Sequence, residues 1–195
     1  MCVNTDVKVC AGISTLIVFG ALAGAASYEA RTVRAKLDVI EEGRATPGSR
    51  IMFFPVELNA WVIDAAKVRV PQGVRNLRLV LGTGAATGYA DIDFVRLRQA
   101  ATGESPGWLM RNLFSGERPV KVTARFQSRG GQARVDVERV EISGLAIDGP
   151  ALDFAIDAFV RPAFPYAVVS EWFPLQYRVD RFTVNPTGVA VFIRR

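Results

Sequence analysis

Histidine is absent from the 195 residues, and the two cysteines, Cys2 and Cys10, both stand in the first ten positions. Zinc-type metal sites need imidazole or thiolate ligands, and Ser-His chemistry needs a partner that titrates near neutral pH. Those mechanisms lack their parts, so no metal site and no cofactor is expected, and no catalytic residue is assigned. Beyond Cys10 there is no thiol, which excludes a disulfide framework from the rest of the chain. Lysine is scarce as well: Lys8, Lys36, Lys67 and Lys121 stand beside twenty arginines. No internal repeat and no low-complexity tract is present.

Half of the residues are hydrophobic and 22% are charged, with a net charge of +5. This composition excludes a disordered polymer and a collagen-like chain, and it fits one folded domain. The mean hydropathy of +0.19 is high for a soluble protein. Either a membrane segment raises it, or the fold carries more apolar surface than a minimal core needs.

Val9 to Ala26 run without a charge. Eighteen residues in a helix reach roughly 27 Å, the lower edge of a bilayer span. The centre (Ile13, Leu16, Ile17, Val18, Phe19) is apolar, and Ala23-Gly24-Ala25 offers the small-x-small pattern of a signal-peptidase site. Residues 1–26 therefore read as a signal peptide or a signal anchor, with a buried domain helix as the third option. The first two place the remainder outside the cytoplasm. Removing these residues takes one lysine and one aspartate and leaves the charge at +5.

From Tyr28 to Gly43, Val33, Leu37 and Ile40 have helical spacing, while Val33, Ala35, Leu37 and Val39 also alternate as in a strand. Residues 27–48 are expected to form a stalk or linker, closed by the turn Ala45-Thr46-Pro47-Gly48, and residues 49–195 the folded domain. Arg50–Phe54 reads as a short strand. Pro55 then starts a helix to about Lys67, with Leu58, Trp61, Val62 and Ala65 on one face and Glu57, Asp64 and Lys67 pointing away.

At Val74 the period changes to two. Leu77, Leu79 and Leu81 alternate with Asn76, Arg78 and Val80, Gly82 to Gly88 connect, and a strand follows over Tyr89–Arg98 with Ala90, Ile92 and Phe94 on its apolar face. GTGAATG lacks phosphate-loop spacing and reads as a hairpin connection. Trp108, Leu109, Met110, Leu113 and Phe114 read as a short apolar helix or a mobile flap. The clearest segment is a hairpin: Val120, Val122, Ala124 and Phe126 alternate with Lys121, Thr123, Arg125 and Gln127, and after the Arg129-Gly130-Gly131 turn Ala133, Val135 and Val137 alternate with Arg134 and Asp136. The alternation slips at Glu138-Arg139, as at a β-bulge. Pro150 opens a further helix with Leu152, Ala155, Ile156 and Phe159 on one face, ended by Pro162 and Pro165. A last hairpin joins Tyr177–Val184 to Val189–Ile193 through Asn185-Pro186-Thr187-Gly188.

This order of pieces, with Glu57-Leu58-Asn59-Ala60 in the first helix, Pro71-Gln72-Gly73-Val74 before long hairpins, Gly149-Pro150 before the second helix and a terminal hairpin after Pro174-Leu175, resembles the TULIP-like superfamily of bacterial tubular lipid-binding proteins. That superfamily includes extracytoplasmic members such as the YceB-like and LmeA-like proteins. The resemblance covers about residues 49–195 and implies an α+β fold: a long, curved antiparallel sheet wrapped around an amphipathic helix, leaving an apolar groove for acyl chains. It carries over no catalytic residue. A well-filled α+β domain without a cavity stands beside it.

The leading expectation is an extracytoplasmic (periplasmic) protein that binds a lipid or another hydrophobic ligand, held at the membrane by its N-terminal segment or released after cleavage. Its walls are expected from Ile92, Phe94, Val122, Phe126, Val135, Leu152, Ile156 and Phe159, with Arg78, Arg125 and Arg134 at the rim for anionic headgroups. The first alternative is a membrane-anchored bridging protein of the envelope, similar in plan to β-rich subunits of lipopolysaccharide transport, pairing its strand edges with a partner. A carboxylate enzyme using Asp91 and Asp93 or Asp153 and Asp157 comes third. Nucleic-acid binding is disfavoured, because bases and acids are interspersed.

Overall fold

A computed structural model describes residues 27–69, 73–103, 116–150, 152 and 170–195. The protein is α+β. The described elements are α1 (Tyr28–Glu41), β1 (Arg50–Phe53), α2 (Pro55–Arg69), β2 (Val74–Leu81), β3 (Ala85–Asp93), α3 (Phe94–Thr102), β4 (Glu117–Arg129), β5 (Gln132–Ile142), β6 (Leu145–Ile147), β7 (Trp172–Pro174), β8 (Val179–Asn185) and β9 (Gly188–Ile193). Six strands make an antiparallel sheet in the order β2-β3-β4-β5-β6, with β7 also on β5, and a second antiparallel sheet runs β1-β9-β8. Among the described residues no helix is long and apolar enough to cross a membrane.

Tyr28–Glu41 is a helix, not the alternating strand. The Ser27 hydroxyl caps it by accepting the Ala30 N–H at 3.2 Å, and Glu29 sits in the first turn, where the helix dipole favours an acid. Residues 27–48 pack against the elements that follow them. Val33, Ile40 and Ala45 are buried with Phe53, Val179 and Ile193, with Leu37, Leu58 and Trp61 packed around them. The boundary expected at residue 48 thus cuts through one apolar cluster, and burying a side chain such as Val33 is worth about 1.5–3 kcal/mol.

Pro55 opens α2, and Glu57 in its first turn accepts the Phe54 N–H at 2.9 Å, half of a capping box. Glu57 does not point away, as the helical spacing suggested. It takes the Lys36 ammonium of α1 at 2.8 and 2.6 Å while Lys36 also donates to the Met52 carbonyl at 2.8 Å. The side chain of Glu57 is only 12% exposed, so this pair locks α1, β1 and α2 together.

In the large sheet, β4 and β5 carry the expected hairpin. Thr123 faces Arg139 and Ala124 faces Val137, so Glu138 is the extra residue of a bulge where the alternation slips. The strand expected over Tyr89–Arg98 is displaced: β3 starts at Ala85, inside the stretch expected as the hairpin connection, and ends at Asp93, whose carboxylate caps α3 by accepting the Arg96 N–H at 3.0 Å. The period-two pattern ran on through Phe94 by coincidence, and a local cap overrode it. Gly73 makes this corner possible: at φ 100° its place for a Cβ lies 2.9 Å from the Asp93 carbonyl oxygen, and the Asp93 N–H donates to the Gly73 carbonyl at 2.8 Å.

One polar side chain and two backbone amides join the sheets and close an edge. The Ser128 hydroxyl of β4 accepts the Phe182 N–H at 2.8 Å and donates to the Phe182 carbonyl at 2.6 Å. On the same rim of β8, Gly131 N–H donates to Asp180 O at 2.6 Å and Gly84 N–H to Val184 O at 2.9 Å. Alternate residues of β8 are thus bonded to the hairpin tips of the large sheet, which consumes an edge that would otherwise be open. Behind this seam Leu81, Ala86 and Val184 are buried, with Leu58, Phe126 and Phe182 against them.

Candidate functional site

The register of the large sheet separates its faces. Val122 stands opposite Gly88 and Val140, Val120 opposite Ala90 and Ile142, and Phe126 opposite Val135. Directly paired residues share a face, so Ala90, Val120, Val122, Ala124, Phe126, Val135, Val137 and Val140 form one continuous apolar surface. Tyr89, Asp91, Lys121, Thr123, Arg125, Arg134, Asp136 and Glu141 form the other, which is polar.

Of the expected wall residues, Val122, Phe126 and Val135 come together on the apolar face, and Ile92 lies at its far end opposite Val74 and Arg118. Phe126 is partly committed to the core, edge-on to Phe182 with ring centroids 6.3 Å apart. Phe94 leaves the strand and is buried at the start of α3. Leu152 is half-buried and its N–H reaches the Asp148 carbonyl at 3.4 Å, while Ile156 and Phe159 lie outside the described residues, as do the apolar segment around Trp108, the carboxylates Asp153 and Asp157, and residues 1–26.

The expected arginine rim is not at this face. Arg78 stacks on Tyr89 at 4.3 Å, Arg125 pairs with Glu138, and Arg134 pairs with Asp136 at 2.8 Å, all on the polar side. The physical reason is the strand alternation itself: Arg125 adjoins Phe126 and Arg134 adjoins Val135, so each must point opposite to its apolar neighbour. On that side the hydrogen bond from Arg134 holds the Asp136 carboxyl below its ordinary range against the opposing effect of burial, and Ser170 adds to it. Glu141 is lowered in the same way, first by Arg139 and then by Lys121.

Between α2 and β2 an open groove of about 310 Å³ is lined by Ile63, Ala66, Lys67, Val74, Arg75, Asn76 and Leu77. Val74 is the cross-strand neighbour of Ile92, so the groove adjoins the end of the apolar face. Nothing in the sequence singled it out, because Ile63 and Val74 become neighbours only through the docking of α2 on β2. The carboxylates named for an enzyme are occupied differently: Asp91 accepts from Asn76 at 2.7 Å and Asp93 caps α3. Among the described residues no group of three or more His, Cys, Asp or Glu side chains is placed to hold a metal ion.

A scan against protein-family models, a search of curated proteins and a search of solved structures each returned no match to this chain.

Proposed function

We propose that this chain is a lipid- or hydrophobic-ligand-binding protein of the cell envelope with a TULIP-like plan, in which the long sheet curves around α2. The observation that carries the reading is the groove between α2 and β2 opening next to a continuous apolar sheet face. Its volume lies at the lower end of ordinary ligand pockets, and each buried methylene of an acyl chain would contribute about 0.8 kcal/mol. The uncharged run Val9–Ala26 supports an extracytoplasmic location, by export or by anchoring.

The test is ligand content and uptake. Native mass spectrometry after purification, followed by titration with a fluorescent fatty acid, should reveal co-purified or acquired acyl chains. Ile63→Glu, at a side chain already 38% exposed, should lower uptake by tenfold or more with the fold intact. Protein that is reproducibly ligand-free and takes up no fatty acid overturns the proposal.

Edge pairing with an envelope partner has less support. β2 has its outer backbone capped by Asn59 at Leu79, β8 is bonded to the large sheet, and β6 is only three residues long.

A further inference from the structure

The net positive charge is not spread evenly. On the polar face of the large sheet the bases meet acids: Arg75 with Glu117 at 3.0 Å, Lys121 with Glu141 at 3.4 Å, Arg134 with Asp136 at 2.8 Å, Arg125 with Glu138, and Arg139 with Glu141. The solvent side of the small sheet is different. Arg50 of β1 stands opposite Phe192 of β9, and Phe192 stands opposite Arg181 of β8, so one cross-strand row reads Arg-Phe-Arg. Its alternate positions Ile51, Val191 and Ile193 pack into the core, which fixes the row outward.

Around this row lies a shallow depression of about 380 Å³, lined by Gly48, Asp180, Arg181, Phe192, Ile193, Arg194 and Arg195. Arg178 is tied to the same corner, its carbonyl accepting the Arg194 N–H at 2.7 Å. Arg50, Arg178, Arg181, Arg194 and Arg195 are all exposed, and among the described residues lining the depression the one acid is Asp180, which pairs with Arg181 at 2.9 Å. The Arg181 guanidinium lies 4.3 Å above the Phe192 ring, so the aromatic presents a half-buried apolar centre between charged neighbours. Arg50 and Arg181 are two strand spacings apart, roughly 10 Å, enough for each to take its own phosphate.

The geometry points to the outer face of β1-β9-β8 as a docking surface for an anionic lipid bilayer, with Arg50, Arg181 and Arg195 meeting headgroup phosphates and Phe192 seated among them. A surface of several arginines around one aromatic suits a charged interface with an apolar interior, whereas the bases of the large sheet are largely offset by the acids they pair with. This docking role rests on the lipid-binding reading for its biological sense, although the charge argument stands independently of the groove.

The experiment uses the full chain and compares co-sedimentation with phosphatidylcholine vesicles and with vesicles containing phosphatidylglycerol. Any insertion of the N-terminal segment is common to all variants, so the readout is the preference for the anionic vesicles. Replacing Arg50, Arg181 and Arg195 by Gln should reduce that preference by about fivefold per arginine at low salt, on the order of a hundredfold together, with unchanged circular dichroism. Adding salt should erode the wild-type preference, and inorganic phosphate at matched ionic strength should erode it no further. An Arg75→Gln control on the paired face should leave it intact. The inference is overturned if the triple variant keeps its preference, if the control loses as much, or if inorganic phosphate displaces the vesicles specifically. Fatty-acid uptake, measured in parallel, should be the same in the triple variant and the wild type. Loss of vesicle preference thereby reads on this face alone, and absence of uptake reads on the groove alone.

Discussion

The side-chain amide of Asn59 on α2 bonds both backbone groups of Leu79 on β2: its Oδ1 accepts the Leu79 N–H at 2.7 Å and its Nδ2 donates to the Leu79 carbonyl at 2.8 Å. An amide has the donor and acceptor of a peptide unit, so Asn59 stands in for a neighbouring strand at an edge of the large sheet. The same contact sets the distance at which α2 rides over β2, and hence the width of the groove beside Val74. Asn59→Leu should cost about 2–3 kcal/mol in urea unfolding, because two half-buried backbone groups lose their partner. Asn59→Asp keeps the acceptor but turns a carboxylate toward the Leu79 and Pro55 carbonyls, so its deficit should be larger at pH 7 than at pH 4.

How much of this could be read in advance depends on how local each signal is. The β4–β5 hairpin was legible down to the bulge at Glu138, because alternation and its slip are properties of adjacent residues. The end of β3 was not: Phe94 continues the alternation, and only the Asp93 cap, in competition with it, turns the chain into α3. The apolar face was legible through Val122, Phe126 and Val135. The alternation that put them there already forbade Arg125 and Arg134 as its rim. The Arg50-Phe192-Arg181 row was invisible, since it joins three segments far apart in sequence through a register that no single segment encodes. Asn59 and Ser128 were equally silent, as each serves a backbone that only the tertiary fold brings near.

The half-buried Lys36–Glu57 pair should behave as one unit. Lys36→Met leaves the Glu57 carboxylate among α1, β1 and α2 without its cation and should cost about 2–3 kcal/mol. Glu57→Gln should cost a similar amount while keeping an acceptor for the Phe54 N–H. The double variant should lose clearly less than the sum, with a coupling of about 1–3 kcal/mol in a double-mutant cycle from urea titrations. Strict additivity would show that the two side chains do not cooperate.

Two serines should give opposite results. Ser128→Ala removes the hydroxyl that serves both backbone groups of Phe182 and should lower stability by about 1–3 kcal/mol. The Ser49 hydroxyl oxygen is buried with no hydrogen-bond partner, so Ser49→Ala discards a desolvated group and should be neutral or raise the melting temperature. Equal losses in both would contradict the different environments described for them.

Acid should loosen the polar face of the large sheet through Asp136 and Glu141. Both carboxyls titrate below their ordinary range in the folded protein, chiefly because Arg134 and Arg139 donate hydrogen bonds to their charged forms. The folded state then binds fewer protons than the unfolded one as the pH falls through the carboxylate range. Their stabilisation is therefore complete above the unfolded carboxylate pKa, near 4, and is lost progressively below it as the pH falls through the folded values. Asp136→Asn and Glu141→Gln should each be less stable than the wild type at pH 6, with the gap closing toward pH 3. Urea midpoints taken along that series decide the matter, and a gap that widens on acidification would mean that these carboxylates are not the groups held ionised by their arginines.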